Sequence, residues 1–168
     1  RKNQREYMAK ALNAQGVSYQ VRGEFPEALA YSQRSLEIHE EDGDKSGVAS
    51  LLGNMGNVYA RQGNYPKALD HYQRSLKLRV ELKDSPRVAT LLNNIGIIYQ
   101  KTGEFEKAIE KYEEAIKIER QLGERQRFAR TLHNMGLTYQ NLGNYAKALS
   151  CYQESLQIQE DNGNTARV

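Results

Sequence analysis

The chain has 168 residues, of which 39% are hydrophobic and 27% are charged. Its 24 basic and 21 acidic residues leave a formal net charge of +3, which is too balanced to indicate binding to nucleic acid or to a membrane surface. A single cysteine, Cys151, excludes an internal disulfide and a metal site built from several thiolates.

A short segment recurs throughout the chain at a spacing of 40 residues. In its clearest copy, residues 92–99, the side chains of Leu92, Gly96 and Tyr99 share one face of a predicted helix. A fixed period of this size indicates a repeat array. We therefore divide the chain into repeats at residues 5–44, 45–84, 85–124 and 125–164, and we interpret residues 165–168 as the start of a truncated further helix.

Helix A opens each repeat and is predicted to cover about Arg5 to Arg22 in the first one. A glycine in the middle of a helix, such as Gly96, costs about 1 kcal/mol relative to alanine. Because this glycine recurs in all four repeats, we expect the next helix to approach it too closely for a Cβ atom. A second glycine is predicted to end helix A in a left-handed conformation, at Gly23, Gly63, Gly103 and Gly143.

Helix B follows and is predicted to cover about Phe25 to Glu41 in the first repeat. Asn64 and Asn144 are its predicted N-caps in the second and fourth repeats. Three copies of helix B are predicted to end at a glycine, namely Gly43, Gly123 and Gly163. In the second repeat the stop is Asp84-Ser85-Pro86, where Ser85 is the predicted N-cap of the next helix A. The pattern as a whole predicts an all-α fold of antiparallel helix pairs.

Both ends of the chain lie inside the repeat pattern. Residues 1–4 align with residues 41–44, the tail of a repeat, and residues 164–168 align with the start of another helix A. Terminal repeats normally carry a polar cap, and none is recognisable here. We therefore expect a fragment of a longer array whose uncapped ends are able to self-associate.

The spacing Leu-x3-Gly-x2-Tyr, followed by glycine, an aromatic residue and Ala-Leu or Ala-Ile, resembles the tetratricopeptide repeat. Gly16, Tyr19 and Ala28 match that family's positions, as do their copies, whereas Leu12 replaces an aromatic residue. The period is 40 rather than 34 and the closing proline is absent, as in kinesin light chains, spindle-orientation adaptors and many bacterial signalling proteins. The resemblance implies a right-handed superhelical α-solenoid whose A helices line the concave side.

A helical wheel of helix A has two faces. We call a set of equivalent positions in the four repeats a slot. The slots of residues 8, 9, 12, 15 and 19 must form the core side. The slots of residues 10, 14, 17 and 21, flanked by 13 and 20, form the opposite side, which we call the outer face. Over the four repeats these 24 positions hold four fully basic residues and no acidic residue. The candidate peptide-binding residues on the outer face are Asn54, Asn57, Arg61, Asn93, Asn94, Lys101, Arg130, His133 and Asn134.

Asparagine recurs on the outer face at one slot, as Asn54, Asn94 and Asn134, with Ala14 in the first repeat. A side-chain amide both donates and accepts hydrogen bonds, so it is able to pair with the backbone of an extended peptide. The family resemblance implies such an asparagine ladder, and the basic residues favour an acidic or carboxylate-bearing partner. The alternative is that these amides are solvated, or bond to neighbouring helices and fix the stacking of the repeats.

Motifs for catalysis, phosphate binding or metal binding are absent from the sequence. The three histidines share no metal-ligand spacing. Cys151 occupies the variable slot of Tyr31, His71 and Lys111, which we expect to be exposed. We therefore predict no catalytic residues, no cofactor and no metal site.

These observations predict a non-catalytic module of a larger signalling or adaptor protein that binds an extended peptide or protein segment in the concave groove lined by the outer faces of the A helices. We expect a cytoplasmic location, since no signal peptide or sufficiently long apolar run is recognisable. An alternative is a structural spacer or self-associating array with an empty groove. A third possibility is a regulatory domain attached to an enzyme.

Overall fold

The computed structural model describes residues 2–165, and the side chains of residues 3–161. Over this range the chain forms α-helices and no strand, which confirms the predicted all-α class. The helices are α1 Lys2–Arg22, α2 Phe25–Glu41, α3 Lys45–Arg61, α4 Tyr65–Glu81, α5 Ser85–Thr102, α6 Phe105–Leu122, α7 Arg125–Asn141 and α8 Tyr145–Thr165. The odd-numbered helices are the A helices and the even-numbered helices are the B helices.

The chain divides into two compact units, unit 1 at Arg1–Asp84 and unit 2 at Ser85–Val168. Unit 1 contains the pairs α1–α2 and α3–α4, and unit 2 contains α5–α6 and α7–α8. Each pair is antiparallel. In α1–α2, for example, Ser35 Oγ donates to Ala9 O near one end, while the rings of Tyr19 and Tyr31 stack near the other.

The mid-helix glycines are in close contact with helix B, as predicted. A Cβ atom on Gly56, Gly96 or Gly136 would lie 2.6 Å from a ring carbon of the tyrosine opposite, which is Tyr72, Tyr112 or Tyr152. In the first repeat the tyrosine is replaced by Ser32, and a Cβ atom on Gly16 would lie 3.0 Å from its Oγ. The glycine therefore makes room for the large side chain of helix B.

Several predicted helix ends are confirmed. Gly43 and Gly123 are left-handed, as are the four glycines that end the A helices. Asn64 Oδ1 accepts a hydrogen bond from Lys67 N, and Asn144 Oδ1 accepts one from Lys147 N. In the second repeat Lys83 adopts the left-handed conformation without being a glycine.

The predictions for Gly163 and Ser85 are wrong. Helix α8 continues past Gly163 to Thr165, because glycine permits a left-handed stop without requiring one. Ser85 is the first residue of α5 rather than its N-cap, since Pro86 is tolerated within the first turn. The further helix expected at 165–168 lies outside the described residues, except Thr165, which belongs to α8.

The first helix also departs from prediction. Helix α1 begins at Lys2 rather than near Arg5, so residues 2–4 join the first helix A instead of ending a separate helix. Asn3 occupies the slot of Gly43, and no left-handed turn forms there. Met8 and Gln15 were expected in the core but are exposed, whereas Met55 in the slot of Gln15 is buried against α2 in unit 1.

Each unit has an apolar cluster at the junction of its helix pairs. In unit 1, Leu36 of α2 packs with Leu51, Leu52 and Met55 of α3. In unit 2, Ile116 of α6 and Ile158 of α8 pack with Ala129 and Leu132 of α7. Burial of these side chains removes apolar surface from water and joins the pairs within each unit.

Candidate binding face of the A helices

In unit 1 the outer face is formed by α1 and α3. The half-buried side chain of Asn54 on α3 reaches back to α1, where its Nδ2 donates to Asn13 Oδ1 at 3.4 Å. Arg61 also reaches back, and its Nη1 donates to Gln20 O at 2.7 Å while the guanidinium lies over the Phe25 ring. Both candidate residues therefore join the two helix pairs of unit 1.

Asn57 lies one turn from Asn54 and contacts helix B of its own pair. Tyr72 Oη donates to Asn57 Oδ1 at 2.7 Å. Burial raises the pKa of Tyr72 to about 12, so the phenol stays protonated and remains a donor at neutral pH. The Oδ1 atom of Asn57 is consequently occupied inside the protein.

In unit 2 the outer face is formed by α5 and α7. Asn134 on α7 repeats the arrangement of Asn54, since its Nδ2 donates to Asn93 Oδ1 at 3.1 Å. Asn93 is only 3% exposed, so a partner has no access to it in this conformation. Asn94, its neighbour, is half-buried.

The remaining candidates of unit 2 are exposed. Lys101 and Arg130 present their charges at the surface of α5 and α7. His133 is also exposed, and its ring lies 5.4 Å from that of Tyr152 between centroids. In unit 1 the corresponding charge at Lys10 is paired with Glu6 at 2.6 Å. The available positive charge of the outer face therefore belongs mainly to unit 2.

A buried carboxyl behind Arg130 was not predicted from the sequence. Glu119 of α6 is 1% exposed, its Oε1 accepts from Thr131 Oγ1 at 3.1 Å, and its Oε2 has no hydrogen-bond partner among the described residues. Burial raises the pKa of Glu119, opposed by the charges of Arg130 and Arg127. Glu119 differs from the other glutamates only in its burial. Because burial depends on packing between helices, the sequence does not single this residue out.

The slot of Glu119 holds a different ionisable residue in each of the first three repeats. His39 Nδ1 lies 2.9 Å from Asp44 Oδ2 in the first, and Arg79 Nη1 donates to Asp84 Oδ2 at 3.0 Å in the second. In the third repeat Glu124 occupies the slot of Asp44 and Asp84. Its negative charge further raises the pKa of Glu119. An alignment of the repeats reveals this variation, but not its consequence for burial.

Unit 2 also contains an open cleft of about 490 Å³ among α6, α7 and α8. Its apolar lining includes Ile116, Leu132, Met135 and Cys151. The lining residues from α7 occupy core slots, so the cleft opens away from the outer face. Arg120 and Glu154 form an ion pair of 2.8 Å at its rim.

The expectation that the slot of Cys151 is exposed is wrong. Cys151 is buried, and burial raises the pKa of its thiol, which disfavours the reactive thiolate. Tyr31 and His71 in the same slot are half-buried, because their rings pack on Tyr19 and Tyr59 of helix A. The slot therefore belongs to the contact between helices A and B.

Metal-binding clusters and membrane-spanning helices are both absent from the described part of the chain. His, Cys, Asp and Glu side chains do not gather in groups of three or more that are able to hold a metal ion. No helix in the described range has both the length and the apolar character needed to cross a membrane.

Two family models described as tetratricopeptide repeat match the chain, one over residues 7–79 and 47–121 and the other over residues 129–162. The crystal structure of BtubC (BKLC) from P. vanneervenii is 22% identical, with a TM-score of 0.87, and the match covers 95% of this chain and 66% of that chain. The crystal structure of MamA is also 22% identical, with a TM-score of 0.73, over 93% of this chain and 81% of that one.

The apo form of RapI is 19% identical, with a TM-score of 0.86, and the match covers 94% of this chain and 58% of that chain. No curated protein sequence matches. At these identities the solved structures show the fold alone, which is the predicted α-solenoid class. The family models confirm the resemblance inferred from the repeated Leu, Gly and Tyr positions.

Proposed function

The chain belongs to the tetratricopeptide-repeat family, a family of protein–protein interaction modules, and on that premise we propose that the outer face binds an extended segment of a partner protein. The proposed role is non-catalytic and suits an adaptor or signalling protein. Asn54, Asn94 and Asn134 are the proposed ladder. Lys101, Arg130 and Arg61 are the proposed contacts for acidic or carboxylate groups, with Asn57 and His133 beside them.

The proposal rests on the hydrogen bonds of two ladder amides, those of Asn54 and Asn134. Asn54 and Asn134 each donate one hydrogen bond to the preceding A helix. Among the described residues neither Oδ1 atom accepts a hydrogen bond. Each of these amides thus keeps an acceptor and a second N–H, which are the two groups that pair with the N–H and C=O of one residue in an extended chain. Asn93 is buried, and we assign it no direct contact with the partner.

The charge of the outer face supports an acidic partner. Lys101 and Arg130 are exposed, and the outer-face slots hold no acidic residue. Arg61 is exposed as well, although one of its N–H groups is bound to Gln20 O. Since interactions between exposed charges are screened by salt, affinity for an acidic peptide should fall as ionic strength rises.

The test compares two triple variants with the wild type. The ladder variant carries Asn54→Ala, Asn94→Ala and Asn134→Ala, and the control carries Gln33→Ala, Gln73→Ala and Gln153→Ala on exposed positions of the B helices. An array of 12-residue peptides rich in Asp and Glu supplies the probe, and fluorescence anisotropy gives its affinity. Each lost hydrogen bond should weaken binding by about 3- to 10-fold.

The control should bind as tightly as the wild type, and urea titration should show that both variants remain folded. Equal affinity of the ladder variant and the wild type would contradict the ladder. A peptide in which Asn and Gln replace Asp and Glu should bind more weakly than its parent if the basic residues contribute.

A second candidate function, self-association, is favoured by an exposed apolar surface on α8. Tyr145, Leu149 and Leu156 are 71%, 56% and 56% exposed. Leu36 and Ile116, in the slot of Leu156, are buried against the following helix A of their own units. An apolar surface of this kind marks an interaction site, and we propose a second copy of the chain as its occupant.

A further inference from the structure

An amide–amide hydrogen bond between successive A helices occurs once in each unit. Asn134 Nδ2 donates to Asn93 Oδ1 at 3.1 Å in unit 2, and Asn54 Nδ2 donates to Asn13 Oδ1 at 3.4 Å in unit 1. The donor lies 41 positions after the acceptor in both cases. The two units therefore contain the same arrangement, each formed by its own residues.

The bond restricts a side-chain torsion that is otherwise broad. The terminal torsion of asparagine has no sharp staggered minima, so an isolated amide readily exchanges the positions of its nitrogen and oxygen. When one N–H is bound to the preceding helix, the nitrogen stays on that side and the oxygen is directed away from it. The Oδ1 atom of the ladder asparagine, rather than its Nδ2 atom, then takes the same outward position in each unit.

We propose that Asn13 and Asn93 are positioning residues for peptide binding. Each accepts a hydrogen bond from the ladder asparagine of the next repeat and thereby directs that residue's Oδ1 toward a backbone N–H of the bound segment. The remaining N–H of the ladder amide then donates to a backbone C=O. The inference rests on the proposed function, and it specifies that the ladder residues recognise the extended backbone of the partner, while the basic residues contact its acidic groups.

The two pairs should differ in strength. Asn93 is buried, and its bond to Asn134 has an ordinary length for N–H···O. Asn13 is half-buried, and its bond to Asn54 is longer than usual. We therefore expect Asn93 to position its ladder residue more firmly than Asn13 does.

The first experiment is a double-mutant cycle. The probe is the tightest-binding acidic 12-residue peptide from the array, labelled with fluorescein. Asn93→Ala and Asn134→Ala should each weaken its binding by about 3- to 10-fold, and the double variant should bind no more weakly than Asn134→Ala alone. Additive losses, or unchanged affinity of Asn93→Ala, would overturn the positioning role while leaving the proposed function intact.

The second experiment tests backbone recognition with the same peptide. Single backbone esters, each replacing one N–H by oxygen, are introduced along the peptide one at a time. One ester should weaken binding to the wild type and have little effect on binding to Asn134→Ala. If no ester shows this dependence on Asn134, the assigned backbone contact is wrong. If no acidic peptide binds the wild type, the proposed function fails and this inference fails with it.

A measurement without peptide tests the hydrogen bonds between the asparagine pairs independently of peptide binding. The side-chain amide resonances of Asn134 in ¹⁵N NMR spectra should shift in Asn93→Ala, and those of Asn54 should shift in Asn13→Ala. Unchanged resonances would show that the pairs do not form. Since Asn93 is buried and its replacement risks unfolding, Asn13→Ala provides the cycle with Asn54→Ala in unit 1.

Discussion

At the scale of single residues, the glycine in the middle of helix A and the tyrosine of helix B form a matched pair. A methyl group on Gly96 would lie 2.6 Å from Cε1 of Tyr112, which is fully buried and unable to retreat into solvent. The pair Gly16–Ser32 shows that the repeat also tolerates a small side chain in the tyrosine slot. The glycine and the aromatic residue are thus coupled within each helix pair.

We predict that Gly96→Ala lowers the free energy of unfolding by about 2 kcal/mol, because the added methyl overpacks a rigid contact. The cost should be smaller when Tyr112→Ser is already present, since the ring is then gone. Urea denaturation of the wild type, both single variants and the double variant measures this coupling. The same cost of Gly96→Ala in both backgrounds would contradict the pairing.

The buried carboxyl of Glu119 leads to a prediction on pH dependence. Burial raises its pKa in the folded protein above the ordinary value of 4.5, so the folded state holds the proton more tightly than the unfolded state does. Its contribution to stability is therefore complete below about pH 4.5 and declines as pH rises toward the raised pKa. Glu119→Gln keeps a neutral side chain of similar shape at every pH.

We expect the stability of Glu119→Gln relative to the wild type to increase as pH rises from about 4 to 7. Asp44 contributes the opposite trend, since hydrogen bonds from the backbone N–H groups of Gly47 and Ser46 lower its pKa, but it is common to both proteins and cancels in the difference. Urea titrations at several pH values provide the measurement. A difference in stability that does not change with pH would refute the assignment.

At the scale of helices, a buried arginine joins α4 to α3 and to the following turn. Arg79 is 3% exposed, and it donates to Ser46 O, Ser50 Oγ and Asp84 Oδ2. Lys45 and Glu81 join the same two helices at 3.0 Å, but this ion pair is exposed. The two contacts link the same elements in different environments.

Arg79→Ala should cost about 3 kcal/mol of unfolding free energy, since it removes a buried guanidinium that donates to Asp84, Ser46 and Ser50. Lys45→Ala should cost less than about 0.5 kcal/mol, because exposed ion pairs are weakened by solvent and by side-chain entropy. Chemical denaturation of both variants makes the comparison. Similar costs for the two would show that burial is not what gives the Arg79 contact its strength.

At the scale of the whole molecule, the apolar surface of α8 predicts association. Light scattering should give a mass that rises with protein concentration, and Leu149→Glu with Leu156→Glu should reduce that rise by placing charges on the surface. The matched control carries Val80→Glu and Leu82→Glu, which replace exposed apolar residues elsewhere. A mass that stays monomeric at all concentrations would reject self-association through α8.

Local pattern was sufficient to predict much of the fold. The spacing of Leu92, Gly96 and Tyr99 and their copies predicted the helix pairs, and Asn64 and Asn144 predicted helix starts, because these features depend on neighbours in sequence. The bounds of α2 were also predicted correctly. Gly163 was mispredicted because a glycine only permits a turn, and the surrounding structure decides whether the turn forms.

The sequence by itself determined the repeat, the helix pairs and the place of asparagine on the outer face of helix A. Only the tertiary structure decided that Asn93 is buried, that Asn13 and Asn93 accept bonds from Asn54 and Asn134, and that Glu119 lies out of solvent. The physical reason is that helical periodicity fixes the direction of a side chain from its own helix. Burial and hydrogen-bond partners depend on the helices packed around it.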